Sequence, residues 1–120
     1  MRGGAALLMA SLLVYVGGVV LDFATTAYML SLGCYAEANP NLAPIAGTSD
    51  HVAREVAMML IVAALTVSLF LAMRRYGLER RVTIVPLLPA AMRWSAALHN
   101  LILLLTGWES PLIYLPHPRL

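Results

Sequence analysis

The sequence predicts an all-α membrane protein with three transmembrane helices in a single domain of 120 residues. Three observations predict it. The composition is 61% hydrophobic and only 12% charged, with a mean hydropathy of +0.81, whereas ordinary soluble domains are about 25% charged. Three apolar runs each reach the roughly 20 residues that a helix needs to cross a bilayer. The basic residues gather at the ends of those runs, where a topology signal would put them. The formal net charge of +2 is too small to argue for nucleic acid as a partner. Cys34 is the only cysteine, so the chain makes neither an internal disulfide nor a cysteine metal cage.

The first span runs from about Ala5 to Leu32, and at depth it is interrupted by Asp22, Thr25 and Thr26. The second runs from about Val52 to Met73 and carries no charge between Glu55 and Arg74. The third, from about Val82 to Thr106, is the least apolar and contains Pro86, Pro89, Arg93, His99 and Asn100. Proline suits only the first turn of a helix, so the regular helix is expected to begin near Pro86 or Pro89, or to kink there. Between the first two spans lies a structured loop with turn and cap signals at Asn39-Pro40, Pro44 and Thr48-Ser49-Asp50, the last an N-cap for span two. The tail, residues 107–120, contains Pro111, Pro116 and Pro118 and is expected to be extended, with Trp108 and Tyr114 at the membrane interface.

Charge asymmetry orients the chain. The loop between spans two and three has Arg74, Arg75, Arg80 and Arg81 against Glu79, a net +3, and Arg2 lies on the same side. The loop between spans one and two, with the first turn of span two, has Glu37, Asp50 and Glu55 against Arg54, a net −2. The basic side faces the cytoplasm in a plasma membrane, so the N-terminus is expected inside and the C-terminus outside. The first span is too long for the apolar core of a cleaved signal, and Ser31-Leu32-Gly33-Cys34 is a poor lipoprotein box, so neither cleavage nor lipidation is expected.

Asp22 draws attention because a carboxylate at that depth costs a few kcal/mol unless a partner or a water-filled cavity meets it. Residues three, four and seven apart share a helix face, and Ser11, Tyr15, Gly18, Asp22, Thr25, Thr26 and Met29 form such a stripe. Connectivity brings Asp22 to the same level as Glu37, Asn39 and Asn41 in the loop, Arg54 and Glu55 at the start of span two, and His99 and Asn100 late in span three. These residues, with Thr25 and Thr26, form the candidate polar cluster in the outer half of the bilayer.

Leu21-Asp22-Phe23-Ala24-Thr25-Thr26, followed by Glu37-Ala38-Asn39-Pro40-Asn41, resembles a family of small uncharacterised prokaryotic membrane proteins catalogued as domain of unknown function 5658. Its pattern is Asp-x-x-Ser/Thr-Thr on the first span, Glu-x-Asn-Pro about a dozen residues later and an Asn on the last span. Asp22, Thr25, Thr26, Glu37, Asn39, Pro40 and Asn100 fit it. The resemblance covers most of the chain, rests on some seven residues, and implies a three- or four-helix membrane domain without implying an activity. Family members often carry Lys early in the second span where this chain has Arg54. Arginine stays charged, which argues against proton transfer there.

Each polar residue admits a structural and a functional reading. Asp22 is expected in an ion pair or hydrogen bond with Arg54, Arg93, Thr25 or Thr26; the alternative is a proton-binding or metal-ligating carboxylate. The Glu37–Asn41 loop is expected to fold back and cap helix ends; the alternative is a re-entrant segment completing a pocket. His99 is expected to be a satisfied histidine near the interface; the alternative joins it with Asp22 and Glu37 as a metal set, though no established metal-binding spacing supports that. Arg93 is expected to snorkel to the inner headgroups; if the third span starts near Val82 instead, Arg93 is central and a partner for Asp22. Ala53/Ala57 and Ala64/Ser68/Ala72 on span two suit close helix contact, either within the chain or between copies.

The expectation is a non-enzymatic structural or accessory subunit of a membrane assembly, with other membrane subunits or copies of itself as partners alongside the lipid bilayer, and with its polar cluster locking the helices together. The alternative is an ion- or small-molecule-handling protein, a metal-dependent enzyme or an oligomeric channel or transporter. No specific cofactor is indicated.

Overall fold

The computed structural model describes residues 2–33, 35–36, 41–107 and 117–118. Three segments are long and apolar enough to cross a membrane, namely Gly3–Ser31, Ser49–Arg74 and Glu79–Thr106. This is the architecture of a multi-pass membrane protein. Large apolar side chains face outward on every long helix, with Leu13, Leu65 and Leu105 exposed by 62%, 66% and 80%. A soluble monomer does not present apolar surface on that scale.

Helix α1 is Arg2–Ser31. Its 30 residues span about 45 Å, and 13 of them are the strong helix formers Ala, Leu and Met. It ends where Gly33 takes a left-handed φ of 76°, with the Leu32 and Gly33 amides donating back to the carbonyls of Met29 and Leu30. Helix α2 is Ser49–Arg74. Thr48 is its N-cap residue as expected, but the Thr48 hydroxyl donates to the Ile45 carbonyl instead of capping the helix. Gly77, again left-handed at φ 68°, turns the chain after α2.

The third crossing is built in two pieces. Helix α3, Glu79–Val82, is followed by a turn through Thr83–Pro86, in which the Thr83, Ile84 and Val85 amides bond three residues back. Helix α4, Leu87–Thr106, follows directly, with Pro86 at its N-cap and Pro89 in its first turn. The break falls where the missing proline N–H groups require it, and the regular helix begins at the predicted place. The crossing nevertheless starts earlier, at α3.

Helix α1 packs most closely on α4, and the two run parallel; α2 runs antiparallel and touches α1 more sparingly. Two features allow the close approach. Gly17 and Gly18 leave bare backbone under the Trp94 indole, so a Cβ added at Gly18 would lie 2.8 Å from Trp94 Cδ1. The Trp94 Nε1–H donates to the Val14 carbonyl at 2.8 Å, which satisfies the indole within the apolar layer. Ala90, Ala96 and Ala97 are buried on the facing side of α4. Tyr15, Val19 and Ala90 form a small apolar core, with Met59 and Val62 of α2 packed against it. The α1 stripe from Ser11 to Thr26, read from spacing, is buried as predicted, and Met29 closes it.

On α2 the buried residues are His51, Glu55, Thr66 and Phe70, a single narrow stripe. Ala53, Ala57, Ala64, Ser68 and Ala72 are all exposed. The intramolecular reading of those small residues is therefore corrected: α2 turns a different face to the rest of the chain. At the far end, Tyr35–Ala36 pairs antiparallel with His117–Pro118, which brings that part of the tail beside the end of α1. Trp108 and Tyr114 lie outside the described residues.

Candidate functional site

The polar groups meet around Arg93. Its Nη1–H donates to Asp22 Oδ2 at 2.9 Å and its Nη2–H to Glu55 Oε2 at 2.7 Å. One planar guanidinium thus ties α4 to both α1 and α2, using the fork geometry that lysine lacks. The three side chains are 27%, 10% and 7% exposed, so these charges are held largely apart from the surroundings.

The chain of contacts continues at each end. Asn100 Nδ2 donates to Thr25 Oγ1 at 2.9 Å, to Thr26 Oγ1 at 3.0 Å and, weakly, to Asp22 Oδ1 at 3.4 Å. The Thr25 hydroxyl donates to the Leu21 carbonyl at 2.8 Å, leaving its oxygen free to accept from Asn100. On the other side, His51 Nε2 lies 3.5 Å from Glu55 Oε1. His51 Nδ1 accepts from the Gly47 N–H at 3.0 Å, which assigns the ring proton to Nε2. Phe23 packs edge-on against the His51 ring at 4.7 Å between centroids. One connected set of polar contacts therefore links the 41–48 loop, α2, α4 and α1.

Helix periodicity explains who joins. His51 and Glu55 are four apart, and Arg93 and Asn100 seven apart, so each pair shares a face. Asp22, Thr25 and Thr26 share the buried face of α1. Arg54, one position before Glu55, is rotated about 100° away; it is exposed and donates to the Asn41 carbonyl at 3.4 Å. Of the partners expected for Asp22, Arg93 pairs with it and Arg54 does not. The expectation that Arg93 snorkels is corrected. Because the crossing starts at Glu79, Arg93 sits at the middle of the Glu79–Thr106 segment and turns inward.

Of the predicted cluster, the structure brings together Asp22, Thr25, Thr26, Glu55 and Asn100. His99 is buried on α4, and Asn41 is exposed. Glu37 and Asn39 lie outside the described residues. Among the described residues no group of three or more His, Cys, Asp and Glu side chains is placed to hold a metal ion. The sequence-derived cluster omits His51, and it names Arg93 only as an alternative partner for Asp22, although the His51/Glu55 and Arg93/Asn100 spacings are available as signals.

Beside this cluster, an open crevice lies between α1 and α2. It is lined by Val19, Val20 and Phe23 on one side and by Val52, Val56 and Met59 on the other, with Glu55 between them in the α2 sequence. Its walls are apolar, and both Glu55 oxygens already face protein groups.

No family model, curated protein or solved structure matches the chain.

Proposed function

We propose that the chain is a structural or accessory subunit of a membrane assembly, in which the Asp22–Arg93–Glu55 bridge and the Asn100 contacts set the order and register of the helices. One observation carries this reading: the Arg93 guanidinium is taken up by two carboxylates of the same chain, at 2.9 and 2.7 Å. Polar groups used to fix which helices pair, and in what register, are the best-attested role of buried charge. The open face of α2, with its small residues at spacings of four, supports contact with a neighbouring helix, because small side chains let backbones approach closely in lipid. Membership of the domain of unknown function 5658 family, an N-terminus facing the cytoplasm and residence in the plasma membrane belong to the same proposal.

Mild-detergent purification followed by intact-complex mass spectrometry tests the reading. The expected result is a defined assembly, either with other polypeptides or of several copies, that Ala64→Leu with Ser68→Leu disperses without unfolding the chain. A monomer in every mild detergent would overturn it. Orientation is checked in a Cys34→Ser background by placing single cysteines at Ser49 and Tyr76. An impermeant maleimide applied to intact cells should label the first and spare the second.

A further inference from the structure

The end of the molecule opposite the polar bridge carries a second surface. Arg74 and Arg75 close α2, and Arg80 and Arg81 belong to α3; all four are exposed. Glu79 turns inward against Gly4 of α1, with its methylene 3.5 Å from where a Gly4 Cβ would be, and its Oε2 is buried. Arg80 lies across the first turn of α1, its Nη2 2.9 Å from a Cβ built on Gly3, so the patch extends over two spans.

Apolar side chains are interleaved with these guanidinium groups. Tyr76, Leu78 and Ile84 are exposed by 66%, 38% and 59%, and the Arg75 guanidinium carbon stands 5.9 Å from the centre of the Tyr76 ring. Val82 is buried and anchors α3 from beneath. A surface for a dissolved anion needs no such apolar residues. A surface at the boundary between headgroups and acyl chains needs both kinds, cation outward and hydrocarbon inward.

We propose that residues 74–84 form a docking surface for the phosphate headgroups of anionic phospholipids in the surrounding bilayer. The guanidinium groups of Arg75, Arg80 and Arg81 receive the phosphate oxygens, while Tyr76, Leu78 and Ile84 lie against the upper acyl carbons. Charge complementarity selects the lipid: a zwitterionic headgroup brings no net charge to neutralise the arginines, whereas an anionic headgroup does. The inference is independent of the subunit reading, since it concerns the opposite end of the molecule and requires no protein partner.

The test uses the full chain in nanodiscs of mixed phosphatidylcholine and phosphatidylglycerol, released and weighed by native mass spectrometry to count retained lipids of each kind. Retained phosphatidylglycerol should be enriched over the nanodisc composition by about five-fold for each arginine engaged. The enrichment should collapse in about 1 M salt, where the Debye length shrinks to about 3 Å. Arg75→Gln/Arg80→Gln/Arg81→Gln should abolish it, with helical circular dichroism unchanged. If the triple variant fails to fold, the salt series on the native chain and the single Arg81→Gln variant still decide the matter. Equal retention of the two lipids, or enrichment indifferent to both salt and the arginines, would overturn the proposal. So would an acidic polypeptide occupying the patch in an arginine-dependent way in place of lipid.

Discussion

Replacing Arg93 by Gln should be the most damaging single change to the polar bridge, and by a margin that exposes its logic. The substitution removes the cation from between two carboxylates that are 10% and 7% exposed, and it leaves two like charges close together. Breaking a buried pair by deleting one partner costs about 3–5 kcal/mol. Because the Arg93 side chain is 27% exposed, the lower end, about 3 kcal/mol, is expected. Asp22→Asn or Glu55→Gln is different in kind. Each leaves a one-to-one pair and a neutral side chain able to hydrogen-bond, so each should cost about 1 kcal/mol, the scale of side-chain hydrogen bonds in membrane proteins. Combining Arg93→Met with Asp22→Asn and Glu55→Gln removes all three charges and should recover most of the loss, since neutral replacements of buried ion pairs are often tolerated. Unfolding by sodium dodecyl sulfate in mixed micelles, followed by far-ultraviolet circular dichroism, measures all four variants. An Arg93→Gln protein as stable as the native one, or an Asp22→Asn loss equal to it, would refute the reasoning.

Gly18→Ala should destabilise the chain by about 1–3 kcal/mol by overpacking, because its Cβ would meet Trp94 at 2.8 Å and the Arg93 Cβ at 3.2 Å; adding Trp94→Leu should restore part of that in the same unfolding assay. Asn100→Leu should cost about 1–2 kcal/mol, and the double variant with Thr25→Val should show non-additive loss if the two groups bond as observed. Glu55→Gln should loosen α2 without unfolding the other helices, seen as faster hydrogen exchange confined to Ser49–Arg74.

The three spans and the buried stripe of α1 were legible because both depend on local quantities, hydropathy and periodicity. Asp22 was recognised as needing a partner because its depth depends only on its own helix. The identity of the partner was less accessible. Pro86 and Pro89 mark correctly where the regular helix starts, yet the depth of Arg93 depends on where the crossing starts. The turn at Thr83–Pro86 lets α3 contribute to that crossing without continuous helix. His51 precedes the apolar run of the second span, and beyond its spacing from Glu55 the cues for burying it are tertiary: the Gly47 amide on one nitrogen, Glu55 near the other and the Phe23 ring alongside. The small residues of α2 carried the right spacing for close contact, but spacing alone does not say which molecule supplies the other helix.

The bridge between Asp22 and Arg93 joins groups 71 positions apart, and this separation has a consequence for biosynthesis. At translation speeds of about 5–20 residues per second, Asp22 is made roughly 4–14 seconds before its arginine. Throughout that interval the aspartate lacks the charge that will later balance it, so a ribosome stalled between the second and third helices should hold a nascent chain whose opening segment stays beside the insertion machinery instead of dispersing into lipid.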